Sequence, residues 1–147
     1  MRFSLLAVAL VFGLAALPAD AQPRRSGTPQ QALTAPATET VTAGGADRNA
    51  VPGSGCSGFI NNARPSATVE VSGAGPLAIY AVSGSDTTML VSDPNGLWHC
   101  SDDANGSNPA VTFTNAAPGT YVVWIGTFSP TETASARLSA VRGKPSW

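Results

Sequence analysis

Four oxygen-bearing side chains in the stretch of residues 85–106 could bind a cation, those of Asp86, Asp102, Asp103 and Asn105. The segment between them predicts a β-hairpin whose turn has the sequence Asp-Pro-Asn-Gly. Antiparallel pairing across a four-residue turn places Asp86 opposite Asp103, so the carboxylates converge at the open end. Ca²⁺ takes about six to eight oxygen ligands of this kind and would relieve the repulsion. The alternative is that these residues only cap turns in water.

His99 lies in the same hairpin, among aspartates and serines that invite comparison with a hydrolytic triad. No Gly-x-Ser-x-Gly motif is present. With the four-residue turn, Ser92 faces Leu97, and Trp98 and Cys100 share one face of their strand. If that face is buried, His99 points to solvent. We therefore predict no catalytic residue, with a hydrolase as an alternative.

Cys56 and Cys100 are the only two cysteines. In an exported chain such a pair predicts one disulfide, whereas metal binding by the two thiols has only His99 as a further soft ligand. Trp98 shares its strand face with Cys100, and Trp124 lies in the most apolar strand. Both are predicted to pack in the core. The alternative is that they and Tyr121 form platforms on which sugars stack.

The first 21 residues predict a signal peptide, with a positive start, an apolar run over residues 5–17 and an Ala-x-Ala site cleaved after Ala21. The alternative, an uncleaved anchor, requires a longer apolar run. The mature protein is thus expected in the periplasm or outside the cell. No later segment is apolar enough to cross a bilayer. A formal net charge of −1 and few, scattered Lys and Arg residues argue against nucleic acid as a partner.

The rest of the chain predicts one domain between two irregular segments. Residues 22–55, rich in Pro, Ala and Thr, predict a disordered linker. Residues 143–147, including Trp147, predict a loose tail. Between them, residues 56–142 predict an all-β, two-sheet antiparallel sandwich of about seven strands. The predicted strands are residues 67–72, 77–83, 87–92, 97–101, 110–114, 120–128 and 133–141.

Five segments in a fixed order carry a resemblance to a known family: residues 56–60 (CSGFI), 86–91 (DTTMLV), 93–98 (DPNGLW), 100–103 (CSDD) and 118–126 (PGTYVVWIG). Together they resemble the bacterial pre-peptidase C-terminal (PPC) domain, in a small exported stand-alone form with a Cys…Trp-x-Cys-x-Asp-Asp pattern. The resemblance covers residues 56–141. It implies a jelly-roll-like sandwich that is often attached to secreted proteases, sometimes binds calcium and has no catalytic residues of its own.

These observations predict an exported, non-catalytic module that binds or stabilises a protein or glycan of the bacterial cell envelope or exterior. One alternative is a calcium-dependent carbohydrate- or protein-binding module, which an exposed aromatic patch beside the acidic end of the hairpin would favour. Another is a secreted peptidase or a peptidase accessory protein. The only cofactor that the residues indicate is Ca²⁺.

Overall fold

Two β-sheets packed face to face make up the computed structural model, which describes Pro23 and residues 25–49 and 56–147. In chain order the strands are β1 (Gln31–Thr34), β2 (Ala37–Ala43), β3 (Asp47–Arg48), β4 (Phe59–Ile60), β5 (Ala67–Val71), β6 (Gly75–Ser83), β7 (Thr87–Ser92), β8 (Trp98–Ser101), β9 (Ala110–Ala116), β10 (Gly119–Thr127) and β11 (Ala134–Val141). Within this part of the chain, no helix is long and apolar enough to cross a membrane. The predicted signal peptide, residues 1–21, lies outside the described residues.

The predicted all-β, two-sheet sandwich is confirmed, and each of the seven predicted strands is present as one of β5 to β11. The smaller sheet has the order β2-β11-β6-β9, and the other seven strands form the larger sheet. The most apolar strand, β10, pairs with β5 on one side and with β7 on the other. Pairing is antiparallel except between β1 and β5, which run parallel.

The prediction that residues 22–55 form a disordered linker is wrong for residues 31–48, which contain β1, β2 and β3. Residues 50–55 lie outside the described residues. β1 extends the larger sheet beside β5, and β2 extends the smaller sheet beside β11. Leu33, Val41 and Ala43 are buried in the shared core. The segment has few large apolar side chains, but it needs only a few, since the strands that it joins supply the rest of the core and the backbone partners.

The prediction that residues 143–147 form a loose tail is wrong. We call these residues the C-terminal strap. The ring of Trp147 lies 5.2 Å from that of Tyr80 on the outer face of the smaller sheet. The Tyr80 hydroxyl donates a hydrogen bond of 3.0 Å to the carbonyl oxygen of Ser146. This partner for a buried aromatic hydroxyl lies 66 residues away in sequence, so no local pattern could indicate it.

The main core lies between the sheets and draws on the inward-facing residues of both. Alternate residues of the central strands, such as Val123 and Ile125 of β10 and Leu77 and Ile79 of β6, are fully or almost fully buried there. This alternation is what a strand with one face toward a core requires.

A second core, the outer cluster, covers the opposite face of the larger sheet. Its buried members are Ile60, Leu90, Val122 and Trp124, with Cys56, Trp98 and Cys100 packed against them. The ring of Trp98 lies 5.6 Å from that of Trp124. The predicted disulfide between Cys56 and Cys100 is present in this cluster. Both tryptophans therefore pack beside the disulfide, as the sequence predicts, but on the outer side of the sheet. The larger sheet is buried on both faces.

Candidate functional site

The hairpin of β7 and β8 has a register one residue away from the prediction. Ser92 pairs with Trp98 and not with Leu97. The backbone N–H of Gly96 donates to the carbonyl of Asp93, and that of Asp93 donates to the carbonyl of Leu97. Gly96 has a φ of 86°, so the turn is a type I turn followed by a glycine bulge. The bulge makes a three-residue loop where the sequence suggested four.

Asp93 holds this turn together with both of its carboxylate oxygens. Oδ1 accepts hydrogen bonds of 2.9 Å from the backbone N–H groups of Asn95 and Leu97. Oδ2 lies 3.0 Å from Nε2 of His99. Burial alone would raise the pKa of Asp93, but the hydrogen bonds from His99, Leu97 and Asn95 outweigh burial and lower it. The carbonyl oxygen of Asp93 accepts a further bond from Arg25, which ties the N-terminal segment to the turn.

The prediction that His99 points to solvent is wrong. Its ring packs edge-on against Phe113 at 4.9 Å, and Phe113 packs against Tyr121 at 5.2 Å. The prediction assumed that the face opposite Trp98 and Cys100 is exposed. It is wrong because the larger sheet is covered on both faces, so His99 lies toward the other sheet, beside Val91.

At the open end of the hairpin the structure brings together the three predicted carboxylates. Oxygen atoms of Asp86, Asp102 and Asp103 all lie within 4.8 Å of one another, and we call these residues the acidic cluster. Two oxygens that bind one Ca²⁺ at 2.3–2.6 Å can be at most about 4.6–5.2 Å apart. The spacing and the chemistry of the donors therefore fit that ion.

The charges of the acidic cluster repel one another. Partial desolvation, followed by the negative charges of Asp102, Asp103 and Glu132, raises the pKa of Asp86. Glu132 is a fourth nearby acid that sequence reasoning missed. It reaches this end through the turn after β10, where the Thr127 hydroxyl donates to its carbonyl oxygen.

Asp102 is the most enclosed member of the acidic cluster. Its Oδ2 accepts a hydrogen bond of 2.9 Å from the hydroxyl of Ser57, while its Oδ1 is buried without a hydrogen-bond partner. Ser57 follows Cys56, so the disulfide to Cys100 fixes both ends of this contact. Sequence reasoning missed Ser57, although its position next to a bridged cysteine was a usable signal.

Asn105 stays a predicted fourth ligand. It lies two residues beyond Asp103 in a tight turn, in which its backbone N–H and carbonyl both bond to Asn108. The Ser107 carbonyl accepts a hydrogen bond from the N–H of Thr87, which holds this loop beside the start of β7. The structure gives no contact from the Asn105 side chain to the three carboxylates among the residues it describes.

An exposed aromatic residue follows β10 at the same end of the larger sheet as the acidic cluster. Phe128 follows Thr127, the last residue of β10, which pairs with Thr87. The next position of this antiparallel register is Phe128 opposite Asp86. Phe128 is 64% exposed, the largest exposed fraction among the large apolar side chains of the described residues. The sequence places it only at the end of an apolar strand, where nothing distinguishes it from a core residue.

Comparison with known proteins identifies the fold. No protein-family model matches the sequence, and no curated protein is similar to it in sequence. Among solved structures, the chain is similar to the crystal structure of the pre-peptidase C-terminal domain of collagenase from Bacillus anthracis. The TM-score is 0.53 at 17% sequence identity, and the match covers 80% of this chain and 98% of that one. The PPC-like fold that the sequence motifs suggested is therefore confirmed.

Proposed function

We propose that this chain is an exported, non-catalytic β-sandwich module that binds a protein or glycan of the cell envelope or exterior through a Ca²⁺-loaded acidic cluster. The observation that carries the proposal is the convergence of the carboxylates of Asp86, Asp102 and Asp103 at the end of the larger sheet where the exposed Phe128 follows β10. An exposed aromatic ring next to a cation site offers a partner both an apolar surface and an electrostatic contact.

The carboxylates support the calcium part of this proposal. Three acids that face one another raise the free energy of the folded state at neutral pH, and a bound divalent cation removes that repulsion. Asp86, Asp102 and Asp103 would hold the ion, with Asn105 as the predicted additional ligand. The remaining positions would be filled by water or by hydroxyl or carboxylate oxygens of the partner.

The environment of His99 supports a binding role over hydrolysis. Its Nε2 is engaged with Asp93, whose other oxygen is committed to the turn. In the described part of the chain no serine hydroxyl is hydrogen-bonded to the imidazole. The resemblance to PPC domains, which lack catalytic residues of their own, also supports a binding role over hydrolysis.

The disulfide supports export. Disulfides persist mainly in oxidising compartments such as the periplasm and the exterior. Cys56 and Cys100 pair with a Cα–Cα distance of 5.6 Å, within the usual range for a bridge. We therefore propose that the N-terminal segment directs the chain out of the cytoplasm, and detection of the folded, oxidised chain in the periplasm or culture medium would test this.

The binding part is tested with the full mature chain on an array of neutral glycans and on immobilised envelope proteins, in millimolar Ca²⁺ and in EDTA. Phe128→Ala should weaken binding roughly tenfold, because an aromatic contact of about 1.5 kcal/mol is lost. Leu97→Ala is the matched control, since Leu97 is 61% exposed at the turn of the β7–β8 hairpin, and the acidic cluster is at the open end. Equal binding in EDTA, or unchanged binding by Phe128→Ala, would contradict the proposal.

A further inference from the structure

A second surface with the features of a ligand site lies at the opposite end of the sandwich. The groove, which we call the strap groove, lies between β9 and the C-terminal strap and has a volume of about 700 Å³. Its lining residues are Pro76, Thr112, Phe113, Thr114, Gly143, Lys144, Pro145 and Trp147. Strand β6 begins at the groove and ends at Ser83, three residues before Asp86, roughly 25 Å away.

The strap groove is preformed. The hydrogen bond from Tyr80 to the Ser146 carbonyl and the ring contact between Tyr80 and Trp147 fix the strap on the smaller sheet. The backbone N–H of Gly143 also donates to the carbonyl of Pro76, which joins the strap directly to the start of β6. Trp147 is nevertheless 47% exposed. A large aromatic side chain that is held in place and half open to water costs little ordering entropy when a ligand covers it.

The lining indicates a ring-shaped ligand that carries hydroxyl groups. Rings of Pro145, Trp147 and Pro76 provide flat apolar walls, and the hydroxyls of Thr112 and Thr114 on β9 provide hydrogen-bonding groups. A pyranose has apolar C–H faces and a rim of hydroxyls, which match these two kinds of wall. The groove is open to solvent, as binding an internal unit of a long chain requires.

The charges around the strap groove indicate that the ligand is an anion. Lys144 lines the groove. Arg142 directly precedes Gly143 of the lining, and its guanidinium donates to the carbonyls of Ser72 and Gly73. Arg137 lies on the same face of β11 as Ser139, the residue that pairs with Tyr80 beneath Trp147. Three of the eight Lys and Arg residues of the chain thus lie between positions 137 and 144. Complementary charge steers and selects partners.

We infer that the strap groove is a binding site for acidic polysaccharides, in which a uronic-acid ring packs on Trp147 while Lys144 pairs with its carboxylate. This site is distinct from the acidic cluster and needs no Ca²⁺. Measuring in EDTA therefore separates it from the function proposed above, and either one can fail while the other stands.

The experiment measures binding of the full mature chain to polygalacturonate, alginate, neutral dextran and poly-L-glutamate in EDTA, by affinity electrophoresis and calorimetry. We expect saturable binding to the two uronate polymers and weak or no binding to dextran and poly-L-glutamate. Trp147→Ala should reduce uronate affinity roughly tenfold. Lys144→Gln should reduce it about two- to fivefold, the size of an exposed ion pair. Arg64→Gln, which removes an exposed positive charge in the loop between β4 and β5, is the matched control for Lys144→Gln and should bind as the parent chain does.

Three results would overturn the inference. Absence of uronate binding at millimolar sugar concentration would show that the strap groove is not a site for acidic polysaccharides. Equal binding to poly-L-glutamate would show that the surface recognises charge, as a peptide-binding surface also could. Undiminished uronate binding by Trp147→Ala, with an unchanged circular dichroism spectrum, would show that the sugar binds elsewhere.

Discussion

The two ends of the β7–β8 hairpin carry aspartates in opposite situations. At the turn, Asp93 is buried, yet its hydrogen bonds lower its pKa. At the open end, Asp86 is exposed, yet partial desolvation and the neighbouring acids raise its pKa. Exposure alone would have predicted the reverse order.

The difference shows what distinguishes a structural carboxylate from one available to a ligand. Both oxygens of Asp93 are occupied by groups of the same hairpin, so Asp93 needs nothing from outside. The oxygens of the acidic cluster mainly face one another, and one of them, Oδ1 of Asp102, is buried without a partner. A bound cation would stabilise a cluster of this kind by removing the repulsion.

Removal of the disulfide should have the largest effect on the free energy of unfolding, because the bridge ties the segment before β4 to Cys100 of β8, beside the acidic end of the hairpin. Replacing Cys56 and Cys100 with alanine opens a loop with a sequence separation of 44 residues. The chain-entropy estimate for such a loop is about 4 kcal/mol of unfolding free energy. Urea unfolding of the variant and the oxidised parent chain measures it. A loss below about 1 kcal/mol would mean that the bridge contributes little to the outer cluster.

Asp93→Ala should have the next largest effect on the free energy of unfolding. It leaves the N–H groups of Asn95 and Leu97 and the imidazole of His99 without their acceptor. We expect a loss of about 2–3 kcal/mol, measured by urea unfolding near neutral pH. Asp93→Asn, which keeps one carbonyl acceptor, should lose less. If the two variants are equally stable, the carboxylate bonds do not hold the turn.

Asp86→Asn should have the smallest effect and the opposite sign. In EDTA at neutral pH it removes one repelling charge and should stabilise the fold by at most a few tenths of a kcal/mol, because the cluster is exposed and screened. A carboxyl whose folded pKa is raised destabilises the fold above that pKa, and the penalty disappears as the pH falls through it. The advantage of the variant should therefore disappear as Asp86 of the parent chain protonates.

The pH dependence of the free energy of unfolding distinguishes Asp93 at the turn from Asp86 at the open end. Asp93 has a lowered folded pKa, so its contribution is complete above the unfolded pKa of about 3.9 and is lost as the pH falls below it. Unfolding free energies from pH 7 to 2 in EDTA should show Asp93→Asn less stable than the parent chain, and Asp86→Asn slightly more stable, at neutral pH. Both differences should disappear in acid, that of Asp86→Asn at the higher pH because its folded pKa is raised. Identical curves for both variants would contradict the assignment of opposite shifts.

Much of the sandwich could be predicted from local pattern. Alternating apolar residues and turn signals were sufficient for β5 to β11, and the two cysteines were sufficient for the bridge. The upstream strands were missed because β1 and β2 carry few large side chains and are strands only by pairing with β5 and β11. Residues that join an existing sheet need less apolar surface than residues that begin one.

The candidate site was predicted in composition but not in geometry. The acidic cluster forms even though the glycine bulge at Gly96 shifts the register by one residue, because its three residues lie just beyond the paired ends of β7 and β8, where the loop can bring them together. Phe128, Ser57 and Glu132 were missed because the turn after β10 and the disulfide bring them there. Those contacts depend on tertiary structure, which no spacing in the sequence encodes.

The most direct test of the central claim is the melting temperature of the full mature chain in EDTA and in about 10 mM Ca²⁺, for dissociation constants typical of extracellular sites. If Ca²⁺ binds the acidic cluster, linkage predicts about 1.4–2.7 kcal/mol of added stability, or several degrees. Asp86→Asn should lose most of this shift. Glu39→Gln, which removes an exposed carboxylate on β2, should keep it. A parent chain whose melting temperature is the same in both solutions would contradict the account.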